Sequence, residues 1–284
     1  MIEFRKLTHH DYEDIVDISK DIWDGEDYLP KIFHKWVDDD GYFLCAYDTT
    51  SNKVIGVGKF SILYDNTGWL EGLRVHIDYR GKKIARDISE KLITIAKEYL
   101  SNGKVNKIGF ATYINSVESI TLMQKLGFKI DKQFYLFHKG YDGLDNDLSL
   151  QDFRVEPWHP TYQEFINLPY IKKRGNLLDI AFVLQEPTLD LYNELTKSEN
   201  FITINGHNGI FKLKGEPYFS VEDDNFEAIN TFMNYFLLKY KDKNIPAPLT
   251  TLTDEDKDMI PKLKGANFKS WSDWKLDYLY FIYK

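Results

Sequence analysis

The chain has 284 residues, with 44 acidic against 36 basic side chains, a formal net charge of -8 and a sequence pI of about 5.4. That balance lacks the basic footprint a nucleic-acid-binding surface needs, and it tolerates a small amine ligand without selecting one. Hydrophobic residues make up 43% and charged residues 28%, an ordinary globular composition, and the length accommodates two domains of similar size.

Residues 2–5 read as a short strand. Thr8 and Asp11 then signal a helix start, since a hydroxyl can cap and a carboxylate favours the positive end of the helix dipole; the helix runs through Ile15 and Ile18. An irregular segment, 23–30, leads to a second helix over 31–37. Strands are predicted over 42–48, 53–63 and 68–77, with turns at Ser51-Asn52 and 65–68. The first of them holds the single cysteine, Cys45, which excludes an internal disulfide and reads as a buried, inert thiol. Apolar positions Ile84, Ile88, Leu92, Ile95 and Leu100 recur at helical spacing and predict a long helix over 82–100. A strand over 107–113, a helix over 117–125 and an extended segment over 128–139, broken near Asp131, complete a mixed α/β first half.

The polar, turn-rich stretch 140–147 places a domain boundary there, giving domains 1–143 and 144–284. The second half repeats part of the order. It has a hairpin over 201–213 around Asn205-Gly206, a strand over 218–221, a long helix over 226–240, a strand over 249–252, a helix over 255–262 and a final strand over 278–283. Leu122-Met123-Gln124-Lys125-Leu126-Gly127-Phe128 is echoed by the run from Met259 to Phe268, in which a helix also ends at glycine before an aromatic strand start, the mark of a duplicated fold. No run of 18 apolar residues occurs and the first residues lack the apolar run of a signal peptide, so neither a membrane span nor a membrane partner is expected, and a cytoplasmic location is.

The segment 69–86 carries the chemistry. It reads as strand, short turn and helix, and a helix start presents unpaired N–H groups and positive partial charge, an anion site suited to a pyrophosphate. Arg80, Lys82, Lys83 and Arg86 add cations. The histidines show no metal-ligand spacing, and no metal is expected.

This segment resembles the acetyl-CoA motif of the GNAT superfamily of N-acetyltransferases, Arg/Gln-x-x-Gly-x-Gly/Ala. Arg80 and Ala85 match its first and last positions, and Lys83 stands where the middle glycine is usual. The preceding Glu71-x-Leu73-x-Val75 resembles the family's fourth strand, and Asn115 through Leu126-Gly127-Phe128 its second signature, one residue longer than usual, so that Ser116 is the alternate for Asn115. Met123 occupies the place of a frequent tyrosine general acid. A closer resemblance, through 24–30, Trp36, Glu71-Gly72-Leu73-Arg74-Val75 and Glu156-Pro157-Trp158-His159-Pro160, is to the vertebrate histidine N-acetyltransferase group.

The resemblance implies tandem GNAT-like mixed sheets with flanking helices, the second copy degenerate, and acetyl-CoA as co-substrate without a metal. It implies cofactor contacts from Leu73, Arg74 and Val75 to the pantetheine arm, from Arg80, Gly81, Lys82, Lys83, Ile84, Ala85 and Arg86 to the pyrophosphate, and from Asn115. Acetyl transfer to an amine needs an unprotonated nucleophile; Glu71 is the candidate base, with Gly72 beside it permitting a strand irregularity, and His76 is the rival, read as a surface turn residue. Glu26, Asp27, Tyr28 and Tyr113 are expected to meet a small amine, an amino acid such as histidine. Glu222, Asp223 and Asp224 stand at the corresponding junction of the second half, where they would repel a pyrophosphate, so one cofactor site per chain is expected. A non-catalytic acetyl-CoA sensor and a protein or peptide N-terminal acetyltransferase are the alternatives.

Overall fold

The computed structural model describes residues 1–284 except Trp23, Asp24, Glu26, Asn146, Ala181, 214–216, Asn244 and Lys284. Contacts divide the chain into two units: Met1–Phe110 with Val117–Lys129 and Phe281–Lys284, and Ala111–Ser116 with Ile130–Tyr280.

In the first unit, β1 (Ile2–Lys6) is followed by α1 (Tyr12–Ser19), α2 (Leu29–Asp38), β2 (Gly41–Asp48), β3 (Lys53–Ile62), β4 (Thr67–Val75), α3 (Ile84–Ser101), β5 (Lys107–Tyr113), α4 (Val117–Lys125) and the start of β6 (Phe128–Lys139). A short 3-10 turn, His9–Asp11, precedes α1; there the Thr8 backbone N–H donates to the Asp11 carboxylate at 2.8 Å, so the helix start read at Thr8 and Asp11 is present in tightened form. The strand order is β1-β2-β3-β4-β5, antiparallel throughout except for the parallel pair β4 and β5, which α3 connects. One face is covered by α1 and α2 through Ile15, Ile18, Leu29, Phe33 and Trp36, packed with Cys45, Val54 and Val57. Burial pushes the Cys45 thiol up to about 11, the inert state its strand setting predicts. The apolar stripe of α3, with Ile84, Ile88, Leu92 and Ala96 buried, covers the other face. There Ile88 and Leu92 sit so close over Gly58 that any Cβ would collide with them.

In the second unit come the rest of β6, β7 (Val155–Pro157), α5 (Tyr162–Ile166), α6 (Pro169–Lys173), β8 (Leu178–Ile180), β9 (Val183–Gln185), α7 (Leu189–Lys197), β10 (Phe201–Ile204), β11 (His207–Lys212), β12 (Tyr218–Val221), α8 (Phe226–Tyr240), β13 (Leu249–Leu252), α9 (Ile260–Gly265), β14 (Phe268–Lys269) and most of β15 (Tyr278–Tyr283). The strand order β6-β13-β12-β11-β10-β7 contains one parallel pair, β12 and β13, joined through the long helix α8. The frame of the first unit therefore recurs: an antiparallel meander, a long helix, a parallel partner.

Three details differ from the sequence reading. The contact units differ from the 143/144 boundary in segments 111–116, 130–143 and Phe281–Lys284; in the second of these, Tyr135–Lys139 of β6 pair with β13 and β14. β6 runs unbroken past Asp131. The helix expected over 255–262 is a 3-10 turn, Asp254–Met259, followed by α9, whose first turn holds Pro261, a residue that suits a helix start and breaks a helix interior.

Candidate active site

The site is built around an irregularity of β4. Val57 pairs with Arg74 and Lys59 with Glu71, so the single residue Gly58 on β3 faces two, Gly72 and Leu73, on β4. This is a bulge, and Gly72 sits in it at φ +67, a left-handed conformation that favours glycine. A Cβ there would lie 2.5 Å from the Trp36 ring, so space as well as backbone selects glycine. The extra residue changes the facing of the strand. Glu71 and Arg74 are three apart, yet they oppose Lys59 and Val57, which are two apart and share a face. Val57 packs among the α1 and α2 residues, so Glu71 and Arg74 both belong to that face. Pairing of β4 with β5 runs from Thr67–Lys107 to Trp69–Gly109 and ends two residues before Glu71. Beyond that point the β4 backbone is outside the register with β5, the splay the sequence expectation placed beside Gly72.

Glu71 is half-buried and accepts a hydrogen bond of 2.5 Å from the Ser61 hydroxyl. Opposite it Lys59 is wholly buried; its ammonium donates to the Trp36 carbonyl at 2.7 Å and lies 3.6 Å from the Asp39 carboxylate. Burial pushes the Lys59 pKa down, against the charges of Asp39 and Glu71, which push it up. Sequence reasoning passed over Lys59, although a lysine between Gly58 and Phe60 in an otherwise apolar strand was the signal.

Arg74 reaches Asp27 with two hydrogen bonds, 3.0 and 3.1 Å, and its guanidinium lies 5.5 Å from the centre of the Tyr28 ring. Burial opposes its charge, and Asp27 and Tyr28 together more than restore it, leaving the pKa raised. Asp27, expected from the sequence to meet a substrate ammonium, is thus engaged by Arg74. Its side chain has no exposure, and its oxygens also receive the Ser19 hydroxyl at 3.1 Å and the Leu29 N–H at 3.3 Å. Asp27 fixes the start of α2 to β4 instead. Tyr28 is half-buried, edge-on to Trp36 at 6.2 Å, and Glu26 lies outside the described residues. Tyr113 and Asn115 belong to the second unit. There the Tyr113 hydroxyl is hydrogen-bonded to Ser272 and its ring meets Trp271 edge-on at 5.7 Å, while Asn115 is exposed.

After β4 the chain turns through His76, whose imidazole accepts from the Asp78 N–H and contacts Asp17 at 3.3 Å, which fits a turn residue better than a base. The 3-10 turn Ile77–Tyr79 follows, then Arg80, Gly81 at φ +77, Lys82 and Lys83 at φ +66. Lys83 thus holds the left-handed geometry that explains a glycine at this place in the motif. It is the N-cap of α3, no side chain caps that helix end, and the Asp87 N–H donates to the Lys83 carbonyl. The first N–H groups of an 18-residue helix are therefore presented beside the exposed Arg80, Lys82 and Lys83. Ile84 points into the core and Ala85 is half-buried, so these two contribute backbone to this end. The Arg86 side chain bonds Glu90 along the helix at 2.7 Å.

The corresponding junction of the second unit is closed. Asn225 caps α8 by accepting from the Ala228 N–H, and Glu222 accepts from the Asn208 amide at 2.7 Å. Asp224 turns inward at φ +49 to a fully buried pair with Arg174, 2.8 Å. Nearby, Tyr218, Thr251 and Tyr278 donate to the buried Asp179 at 2.5, 2.9 and 3.0 Å. A cavity of about 240 Å³ in this unit, lined by Phe211, Tyr235, Phe236, Lys239 and Tyr240 among others, contains none of the expected site residues.

The site thus combines a bulged β4, which carries a carboxylate past the end of its register with β5, and a basic helix start without a side-chain cap. Residues 5–128 match the acetyltransferase (GNAT) family. It is 26% identical to a histidine N-acetyltransferase from Oreochromis niloticus over 165 residues, which cover 55% of this chain and 48% of that protein. It is 27% identical to the protein of the same name from Xenopus tropicalis over 106 residues, 37% of this chain and 33% of the relative. The matches thus span about half and a third of those relatives. The fold is shared along the chain with a GCN5-related N-acetyltransferase from Sphaerobacter thermophilus: TM-score 0.62, 11% identity, 99% of this chain and 95% of that one.

Proposed function

We propose that the chain is an acetyl-CoA-dependent N-acetyltransferase acting on the primary amine of a small substrate, an amino acid such as histidine. The observation that carries the reading is the β4 bulge at Gly72, which sets Glu71 on the α1 and α2 face just past the point where β4 and β5 part. The histidine N-acetyltransferase relatives support the substrate class.

The residues suit the co-substrate. The β4 backbone at Leu73, Arg74 and Val75, past the end of its register with β5, would hold the pantetheine arm, and the N–H groups at the start of α3, with Arg80, Gly81, Lys82 and Lys83, the pyrophosphate. Glu71 takes a proton from the substrate ammonium, directly or through a water; the freed amine attacks the thioester carbonyl, a C–N bond forms, the C–S bond breaks, and the departing thiolate takes up the second proton that the nitrogen sheds as the amide forms. A free thiol ionises near 8.5, so the thiolate leaves readily near neutrality. The place of the family's frequent phenol is held by the buried Met123. Tyr28, half-buried beside Arg74 and Trp36, offers a ring and a hydroxyl to the amine's side chain.

Glu71→Gln should lower turnover of a free amino acid panel by about 100-fold at neutral pH, with acetyl-CoA affinity near wild type. A fully active Glu71→Gln protein excludes the base. No turnover by wild type with free amino acids or peptides, despite tight acetyl-CoA binding, supports the sensor alternative, to which the buried Met123 lends weight.

A further inference from the structure

We propose that Lys59 is a positioning residue for the reaction: its buried ammonium sets the charge environment of the Glu71 carboxylate and holds it ready to accept a proton. The inference rests on the reading of Glu71 as the base.

Lys59 and Glu71 are direct cross-strand partners in the antiparallel β3–β4 ladder, so their side chains leave the sheet on the same face. Lys59 is wholly buried, which a lysine tolerates only with partners. One is the Trp36 carbonyl in the last turn of α2, at 2.7 Å, an uncharged acceptor. Another is Asp39, at 3.6 Å, a carboxylate more than a third exposed and so screened by water. The rings of Trp36 and Phe43, 5.8 and 5.9 Å from the ammonium, keep water from the rest of it. The charge is therefore only partly neutralised by Asp39, and it acts on Glu71 through protein rather than water, where a Coulomb interaction is stronger. Other charged groups among the described residues are Lys35 near the end of α2, Arg74 on β4, which is tied to Asp27 ahead of α2, and Arg5 on β1, which shares the face opposite Cys45 and is paired with Asp11.

The consequence has a sign. Partial burial opposes the charged form of a carboxylate, and a nearby cation favours it. Ser61, donating to the same carboxylate, works in the same direction without charge. Removing the lysine charge should therefore leave a competent base that needs a higher pH, whereas loss of a merely structural lysine would depress activity at every pH.

The test is the pH profile of kcat/KM for Lys59→Met and Lys59→Arg in the full chain, with folding checked by circular dichroism and thermal melting. In Lys59→Met the acidic limb should move up by about one pH unit, so that activity well below the wild-type limb falls about tenfold while activity on the plateau above it stays within about twofold of wild type. Lys59→Arg, which keeps the charge, should hold the limb near its wild-type place. If Lys59→Met does not fold, Asp39→Asn serves. Removing the screening anion at an exposed position should move the limb down. A folded Lys59→Met with an unmoved limb overturns the proposal, as does an unmoved limb in Asp39→Asn. Glu71→Gln separates the two readings: if it is fully active at neutral pH, the base assignment has failed; if it is slow and the Lys59→Met limb does not move, only the role of Lys59 has failed.

Discussion

Gly72 joins two constraints that are usually separate. Its φ of +67 admits few residues other than glycine, and the Trp36 ring occupies the place a Cβ would take. Both follow from one extra residue in β4, which also turns Glu71 and Arg74 to the same face. Gly72→Ala should therefore be costly twice, through backbone strain and overpacking, and lose about 2–4 kcal/mol of stability in urea denaturation. A loss near zero would mean that Trp36 can move aside and that the bulge tolerates a side chain. Arg74 and Asp27 make the complementary point: their charges read from the sequence as available to ligands, and folding spends them on each other, fastening α2 to the strand that carries Glu71.

At the level of the element, the start of α3 differs from that of α8 in what satisfies its first N–H groups. α8 carries its own cap in Asn225, whereas α3 begins at Lys83 without a side-chain cap and with cations around it. An anion can complete α3 and would displace nothing. Arg80→Ala combined with Lys82→Ala should weaken acetyl-CoA binding by about tenfold or more at low salt, and the difference from wild type should shrink as ionic strength rises. Calorimetric titration at two salt concentrations checks both; equal affinity at low salt would remove the pyrophosphate from this end of the helix. Lys83 at φ +66 shows that a lysine can adopt the turn usually given to glycine, at a cost of about 1–2 kcal/mol.

Across the whole molecule, one frame occurs twice with different interiors. In the first unit β4 runs past the end of its register with β5 and α3 starts without a side-chain cap; the second fills the equivalent junction with the Arg174–Asp224 pair and an aspartate held by Tyr218, Thr251 and Tyr278. Titration of coenzyme A should accordingly give one site per chain. A stoichiometry of two would require the Arg174–Asp224 pair to open and Asn225 to release α8.

The periodic elements were legible in the sequence because their signals are local. The strand over 107–113 and the helices over 117–125 and 226–240 begin and end where apolar period and turn residues put them. So was the basic turn before α3, since four cations within seven residues need no partner to be seen. No element was assigned from the sequence over residues 144–200, which hold short pieces such as α5, α6 and β8, too brief to build a period, beside α7, as long as the legible α4. The sequence by itself determined a two-part α/β chain with one acidic strand and one basic helix start. Only the tertiary structure decided which charges remain available. Asp27, Arg74 and Asp224 are consumed in pairs and Lys59 is buried opposite Glu71, because pairing depends on strand register and on helices brought together from distant parts of the chain, and neither leaves a mark in local spacing.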